Sequence, residues 1–327
     1  MNNKVLIVSF SFEQEPDAFR VLIDNGFEPI LWARSERGEK TIELDLIQFW
    51  NNLKTKPSGI LMGADVPMSK LFFEGISEQP EAISLNCAGY DHLDLDVIKE
   101  KNIRVCNVPR QNFSAVADLA FGLMISVMRQ ISRGDRNIRA GKWSRGIERG
   151  IAVSSKTLGI LGFGAIGQAI ARRGIGFDMT IIAYTRTRNE EALAQVGAKF
   201  VSIETLFRES DILVVTLPAT AETYHIIDHA ALSMMKKQAI IINPSRGTVI
   251  DTSALVEALK DGTIAGAGLD VYEEEPLFNS PLFELENTVL TPHIGGLADR
   301  EIRNVAMKAA WNMVALLNNT TCEHRIL

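Results

Sequence analysis

Lys156-Thr-Leu-Gly-Ile-Leu-Gly-Phe-Gly-Ala-Ile-Gly167 is the stretch that decides the fold. Lys156 to Leu161 reads as a strand, and Gly162-x-Gly164-x-x-Gly167 follows it at once and opens a helix-period segment. The first glycine of such a turn permits a tight bend. The second lets backbone approach a pyrophosphate, and the third lets helix and strand pack closely. The start of the helix offers free N–H groups and a positive dipole end to phosphates. An ordinary glycine-rich turn is the bland alternative, and the strand before and helix after argue against it.

Outward from this stretch, short apolar runs alternate with helix-period segments, the pattern of βα units and parallel sheets. Downstream, strands are predicted near 157–161, 179–184, 199–201, 211–217, 239–243, 265–271 and 288–291. Upstream they fall near 4–9, 28–32, 58–62, 81–86 and 103–106, with helical patterns between them such as Asp17–Asn25 and Asp94–Glu100. A long amphipathic segment from Ser114 to about Arg139 separates the two series. A final helix, about Leu297 to Asn318, has no strand after it, and its place in the order points to a return onto the first series.

A chain of 327 residues is long enough for two domains. Its 46% hydrophobic and 23% charged residues are the composition of a globular protein. A net charge of −6 and a pI near 5.5 argue against nucleic acid or an anionic membrane as partner. Arg129, Arg133, Arg136, Arg139, Lys142, Arg145 and Arg149 cluster, but on an acidic chain they read as a solvated helix face and the loop after it. Cys87, Cys106 and Cys322 form no CxxC pair and are read as buried or incidental thiols of a reducing compartment, not as disulfides or zinc ligands. The N-terminus runs straight into Lys4-Val-Leu-Ile-Val-Ser9 without the features of a signal peptide, and no apolar run approaches the roughly 18 residues of a membrane span. The expectation is a complete, cytoplasmic chain.

Three polar residues carry the candidate chemistry: Arg246 in Asn243-Pro-Ser-Arg-Gly247, Glu275 in Gly268-Leu-Asp-Val-Tyr-Glu-Glu-Glu-Pro276, and His293 in Thr291-Pro-His-Ile-Gly-Gly296. Reduction of a 2-oxo acid needs a cation for the carboxylate and carbonyl, and the planar fork of arginine suits it. It needs an acid to protonate the new alkoxide, and histidine has the nearest ordinary pKa. A carboxylate beside the histidine favours the imidazolium and orients the ring. All three residues follow predicted strands, at the ends where open α/β sheets bind ligands. Singly, each has a bland reading as a turn, acidic-run or loop residue, and Glu273 and Glu274 rival Glu275. His225 and His229, spaced i, i+4, lack a third metal ligand and read as a surface pair at a helix start. No G-x-S-x-G elbow supports a hydrolase.

With these motifs in this order, the chain resembles the D-isomer-specific 2-hydroxyacid dehydrogenase family over nearly its whole length. Ala88-Gly-Tyr-Asp-His-Leu-Asp94, Val116-Ala-Asp-Leu-Ala-Phe-Gly-Leu-Met124 and Gly141-Lys-Trp143 add to the resemblance. The resemblance implies two doubly wound α/β domains, with a Rossmann cofactor domain (107–296) inserted into a smaller flavodoxin-like substrate domain (1–106 and 297–327). It makes Arg246, Glu275 and His293 the catalytic residues, choosing the glutamate directly before Pro276. It places cofactor contacts at Gly162, Gly164, Ala165, Ile166, Gly167, Thr185, Arg186, Leu217, Pro218, Thr223, Pro244, Ser245, Arg246, Asp270, His293 and Gly295. Asp270 is implied on the nicotinamide side, and the N–H groups of Ala88 and Gly89 at the substrate carboxylate, with Arg246 and His293. A homodimer joined through the segment 114–139 is implied as well. No metal, nucleic acid or membrane partner is.

The family's usual aspartate at the ribose position is Thr185 here, flanked by Arg186 and Arg188, which favours NADP(H) while NAD(H) stays open. Gly167-Gln-Ala-Ile-Ala-Arg-Arg173 and Tyr184-Thr-Arg-Thr-Arg188 look most like glyoxylate and hydroxypyruvate reductases. Gly63-Ala-Asp65 and Cys87-Ala-Gly-Tyr90 carry no lysine or arginine for a phosphorylated substrate. A small unphosphorylated 2-oxo or 2-hydroxy acid is favoured over a phosphoglycerate or a 2-ketogluconate-type sugar acid. A corepressor-like protein that binds dinucleotide without turnover is the remote alternative, and the chain lacks the long disordered flanks of that class.

Overall fold

The computed structural model describes residues 3–32, 42–64, 66–143 and 149–327. Asp65 and Arg145 lie outside them. The chain divides into two compact units, Met1–Asn112 with Leu297–Leu327, and Phe113–Gly296.

The first unit holds a parallel sheet of β1 (Lys4–Val8), β2 (Glu28–Leu31), β3 (Gly59–Met62), β4 (Ala82–Leu85) and β5 (Arg104–Cys106), in the order β2-β1-β3-β4-β5. That is the flavodoxin-like order. Successive residues of β1 feed opposite faces: Leu6 and Val8 join one apolar cluster, Val5 and Ile7 another. The second cluster is completed by the helix Asp299–Leu317, through Ala306, Ala309, Ala310 and Met313. Ser84 Oγ donates to the carbonyl of Ala309 at 2.7 Å, and Asn312 Nδ2 to that of Asn107 at 3.1 Å. Residues 107–112, expected with the cofactor domain, sort instead with this unit. Asn107 and Val108 are bonded to the loop after β4, which keeps the segment there.

The second unit holds β6 (Thr157–Leu161), β7 (Thr180–Tyr184), β8 (Lys199–Phe200), β9 (Ile212–Val215), β10 (Ile240–Asn243), β11 (Gly266–Leu269) and β12 (Thr288–Leu290). Their order is β12-β11-β10-β9-β6-β7-β8, all parallel. Strand order therefore reverses at β6, and the glycine turn follows that strand. This is the dinucleotide-binding topology with its ligand crevice at the switch point. Ile241 packs on one face of the sheet, Ile240 and Ile242 on the other, so helices cover both.

Two expectations change. The segment 114–139 is two helices, Phe113–Met128 and Ile131–Arg139, bent by 65°. Gln130 sits at the break in the left-handed region, φ 53°, which ends the first helix. Cys106 and Cys322 are joined as a disulfide across 216 positions, against the reading of separate thiols. The C-terminal tail runs antiparallel to the end of β5, with Cys106 opposite Arg325, so topology brings together two cysteines that spacing keeps apart. Among the described residues no single helix is long and apolar enough to cross a membrane.

Candidate active site

Gly162 and Gly167 of the turn after β6 leave no room for a side chain. Gly162 has φ 98°, and a Cβ there would lie 2.7 Å from the carbonyl oxygen of Thr216. A Cβ on Gly167 would overlap the carbonyl oxygen of Gly162. Around Gly164 nothing lies within 4 Å of the Cβ position. Gly164 is also the N-cap of the helix Ala165–Ile175, and no side chain caps that end. The N–H groups of Ala165, Ile166 and Gly167 are thus left at an open helix start, the donor set a pyrophosphate needs. Thr216, which the sequence reading passed over, locks the turn by donating from Oγ1 to the carbonyl of Gly162 at 2.6 Å.

Thr185 follows β7 and is half-buried, with Arg186 exposed beside it. The two arginines differ in engagement. Arg188 pairs with Glu190 and lies over the ring of Phe200, 4.7 Å from its centre. Arg186 forms no ion pair among the described residues, though its charge acts on the Glu222 carboxylate. Leu217 and Pro218 continue from β9, and Thr223 folds back on them, donating from Oγ1 to the carbonyl of Pro218 at 2.6 Å.

Arg246 stands on a turn built by Asn243 at the end of β10. Asn243 Oδ1 accepts the N–H and the hydroxyl of Ser245 at 3.0 and 2.8 Å, and Asn243 Nδ2 donates to the carbonyl of Arg246 at 2.9 Å. Pro244 and Ser245 are buried beneath it. Gly247 is obligatory for a reason the sequence did not reveal: a Cβ there would collide with the backbone of Tyr272 and Glu273. This close approach brings the Arg246 turn against the loop after β11.

That loop gives the three glutamates different surroundings. Glu275 Oε2 lies 2.6 Å from His293 Nδ1, and Glu275 Oε1 accepts the N–H of Tyr272 at 2.9 Å. Glu273 is held elsewhere, by His225 and Thr252, and Glu274 is exposed. His293 has φ 52°, and its N–H donates to the carbonyl of Asp270 at 2.9 Å. Asp270 is only 1% exposed. Its carboxylate accepts from Thr291 Oγ1 at 2.6 Å, Ile294 N–H at 2.9 Å and Gly295 N–H at 2.8 Å. It fixes the loop that carries His293.

Burial works against the charged imidazole of His293, but the hydrogen bond and charge of Glu275, with a smaller push from Asp270, outweigh it and the opposing charge of Arg246. The net shift is upward, so the ring keeps its proton to higher pH than an ordinary histidine. Burial likewise raises Asp270 above the usual aspartate value against its three donors. Burial, then Asp270 and Glu275, push the Tyr272 hydroxyl well up, and it stays a donor to the carbonyl of Thr291 at 2.9 Å. Arg246 is half-buried, its Nη1 donating to the carbonyl of Ser245 at 2.8 Å, and His293 keeps 42% of its side chain exposed.

The profile of the family described as D-isomer specific 2-hydroxyacid dehydrogenase, NAD binding domain, matches residues 121–295. The chain belongs to the D-isomer specific 2-hydroxyacid dehydrogenase family. It is an oxidoreductase of the class that uses nicotinamide dinucleotides. A glyoxylate reductase of Thermococcus litoralis is 42% identical over 298 residues, 86% of this chain and 90% of that protein. Among solved structures, a glyoxylate reductase from Paecilomyes thermophila superposes with a TM-score of 0.83 at 30% identity, over 99% of this chain and 98% of that one. An NADPH-dependent glyoxylate/hydroxypyruvate reductase from Sinorhizobium meliloti, solved with NADP and malonate, gives 0.81 at 26% identity over 100% and 97%.

In the first unit of this family member, Ala88 and Gly89 lie in the loop after β4. Asn107 Nδ2 holds the carbonyl of Ala88 at 2.6 Å, and Cys87 Sγ donates to that of Gly89 at 3.2 Å. Among the described residues their own N–H groups have no hydrogen-bond partner. The helix containing His229 starts at that residue, so His225 lies outside it and the two do not share a helix face. No group of three or more metal-ligating side chains occurs among the described residues. The basic face is paired in part: Arg133 and Arg136 reach Glu286 at 3.6 and 3.2 Å, and Arg139 reaches Asp135 at 2.9 Å.

Proposed function

We propose that this chain reduces glyoxylate and hydroxypyruvate with NADPH in preference to NADH. The observation that carries the reading is the His293–Glu275 pair, 2.6 Å apart, within electrostatic reach of Arg246. That is a proton donor and an anion-binding cation at the carboxyl ends of β10 to β12 of a dinucleotide-binding sheet. The names of the relatives support the substrate class. The segments after β3 and β4, Gly63-Ala64 and Cys87–Tyr90, offer no cation to a phosphate.

The glycine turn and the open start of the helix Ala165–Ile175 fit a dinucleotide, which when bound supplies the hydride. The protein's own groups do the rest. Arg246 donates to the substrate carboxylate and to the 2-oxygen, drawing charge onto that oxygen. In the first unit, the N–H groups of Ala88 and Gly89 are donors suited to a carboxylate. Glu275 engages His293 at Nδ1, which leaves Nε2 to give its proton to the developing alkoxide, and to take it back when a 2-hydroxy acid is oxidised. Asp270 acts as a positioning residue, since its carboxylate is buried and bonded within its own loop. Thr185 and Arg186 would hold the adenosine ribose and would offer a 2′-phosphate a hydroxyl donor and a cation. Exposed Ile131, Ile138 and Trp143, on and just after the second half of the bent helix pair, form an apolar surface suited to a second copy of the chain.

A panel of 2-oxo acids assayed with NADPH and NADH separately tests the reading. Glyoxylate and hydroxypyruvate are expected to give the highest kcat/KM, and NADPH to exceed NADH. Faster turnover of 3-phosphohydroxypyruvate or 2-ketogluconate would refute it.

A further inference from the structure

Glu275 is not alone on its loop in holding a histidine. Two residues earlier, Glu273 Oε2 lies 2.8 Å from His225 Nε2, and Glu273 Oε1 accepts the N–H of Thr252 at 2.8 Å. Both side chains of the pair are mostly buried, at 26% and 28% exposed. The other face of His225 meets Asp251, 3.9 Å from Nδ1, and its ring stacks on Tyr224. The backbone around His225 is tied to the Arg246 turn: His225 N–H donates to Thr248 at 2.9 Å, Ile227 N–H to Val249 at 3.1 Å, and Asp251 N–H to Ile227 at 3.0 Å. Three segments therefore meet at this pair: 225–227, the turn 246–252, and the loop 272–275.

The chemistry proposed above leaves this second pair without a task. We propose that His225 and Glu273 form a brace that sets the Arg246 turn against the Glu275 loop, making both positioning residues for 2-oxo acid reduction. The inference rests on that functional reading. The loop after β11 must deliver Glu275 to His293, and two kinds of tie hold it. The inner ties are the bonds of Tyr272, from its N–H to Glu275 and from its hydroxyl to Thr291. The outer ties both run through the Glu273 carboxylate, one to the start of the helix Thr252–Lys260 and one to His225. A carboxylate at that helix start also complements its positive end. Removing Glu273 strips both outer ties at once and leaves the N–H of Thr252 without its acceptor. Gly247 has no side chain to restore the spacing, because the loop backbone already lies against it.

A carboxylate that only stabilises the fold would change the melting temperature and leave the surroundings of His293 as they are. A brace changes His293 itself. The charged groups facing that ring are Glu275, Asp270 and Arg246, and of these Glu275 alone lies beyond Glu273 on the braced loop. Those facing His225 are Glu273 and Asp251.

The test follows His293 by NMR in the full-length protein carrying labelled histidine, with His293→Gln for assignment. Glu273→Ala is expected to move the titration midpoint of His293 toward acid, in the same direction as Glu275→Gln and by less. Reduction of glyoxylate should slow about tenfold, inside the roughly 10²-fold that a 1 Å misplacement costs. Glu273→Gln keeps an acceptor for Thr252 and offers an amide to the His225 ring, so it should restore the midpoint and most of the rate. An unmoved His293 midpoint in Glu273→Ala overturns the proposal whatever the turnover, and His225→Ala carries the same prediction should Glu273→Ala not fold. A native protein that does not reduce glyoxylate refutes the functional reading instead, and the midpoint still decides the brace.

Discussion

Replacing Gly164 by alanine places a methyl group on the open side of the turn after β6, where nothing lies within 4 Å. Replacing Gly162 places one 2.7 Å from the carbonyl oxygen of Thr216 and 3.0 Å from Leu217 Cδ2, at a φ of 98° that alanine rarely adopts. Overpacking of that kind costs about 1–3 kcal/mol, and the backbone strain about 1–3 kcal/mol more. For a unit of this size each kcal/mol lowers Tm by about 2–4 °C, so Gly162→Ala should melt roughly 5–20 °C below the native protein. Gly164→Ala should melt within about 2 °C of it, because φ −75° suits alanine and the small N-cap penalty is offset by a stiffer unfolded chain. On the proposed reading the open methyl would stand in the path of a pyrophosphate to the N–H groups of Ala165 and Ile166. Losing one charge-assisted hydrogen bond of about 1.5–3 kcal/mol weakens cofactor binding roughly ten- to a hundredfold. Calorimetry and fluorescence titration with NADPH measure the two effects on the same samples. A Gly164→Ala protein that binds NADPH as tightly as the native one, or that melts as low as Gly162→Ala, would refute this account of the turn.

Glu275→Gln removes the main support of the His293 proton, so the pH–rate profile for reduction should fall off at lower pH than in the native enzyme; an unshifted basic limb counts against the pair. The same raised pKa means that the pairing contributes stability below the ordinary histidine pKa, and that this contribution fades as pH rises through the folded-state value. Urea titrations across that range should show the fading in the native protein and its absence in Glu275→Gln. Arg246→Lys keeps charge but loses the fork, and should raise KM and lower kcat with cofactor affinity little changed; native kinetics would make the residue a bystander. Arg186→Ala should reduce the NADPH-over-NADH ratio of kcat/KM roughly ten- to a hundredfold, and an unchanged ratio would move the 2′-phosphate elsewhere.

The periodic features were legible. Each strand among the described residues lies within its predicted range, because buried parallel strands are apolar runs bounded by turns. Gly162 and Gly167 were legible because each answers a separate steric demand, a left-handed turn and a close helix–strand approach. What stayed hidden depends on contacts between distant segments. Gly247 looked like the end of a motif, and only the backbone of Tyr272 and Glu273 against it shows why no other residue fits. Spacing left Glu273, Glu274 and Glu275 equivalent, and the fold separates them by giving two of them different histidines. The anchoring of the His293 loop by Asp270, buried and holding three donors, is likewise a matter of contacts that no local pattern encodes. The break at Gln130 had no glycine or proline to announce it. The Cys106–Cys322 link joins β5 to the tail after the last helix, a proximity that no local pattern encodes.

The proposed reduction makes His293 the proton donor for a 2-oxo acid held by this chain. Single-turnover reduction of glyoxylate by NADPH, compared between native protein and His293→Gln, tests it most directly. The variant should bind NADPH normally and lose about 10²–10⁴-fold in rate at neutral pH. Near-native turnover in His293→Gln would contradict the account.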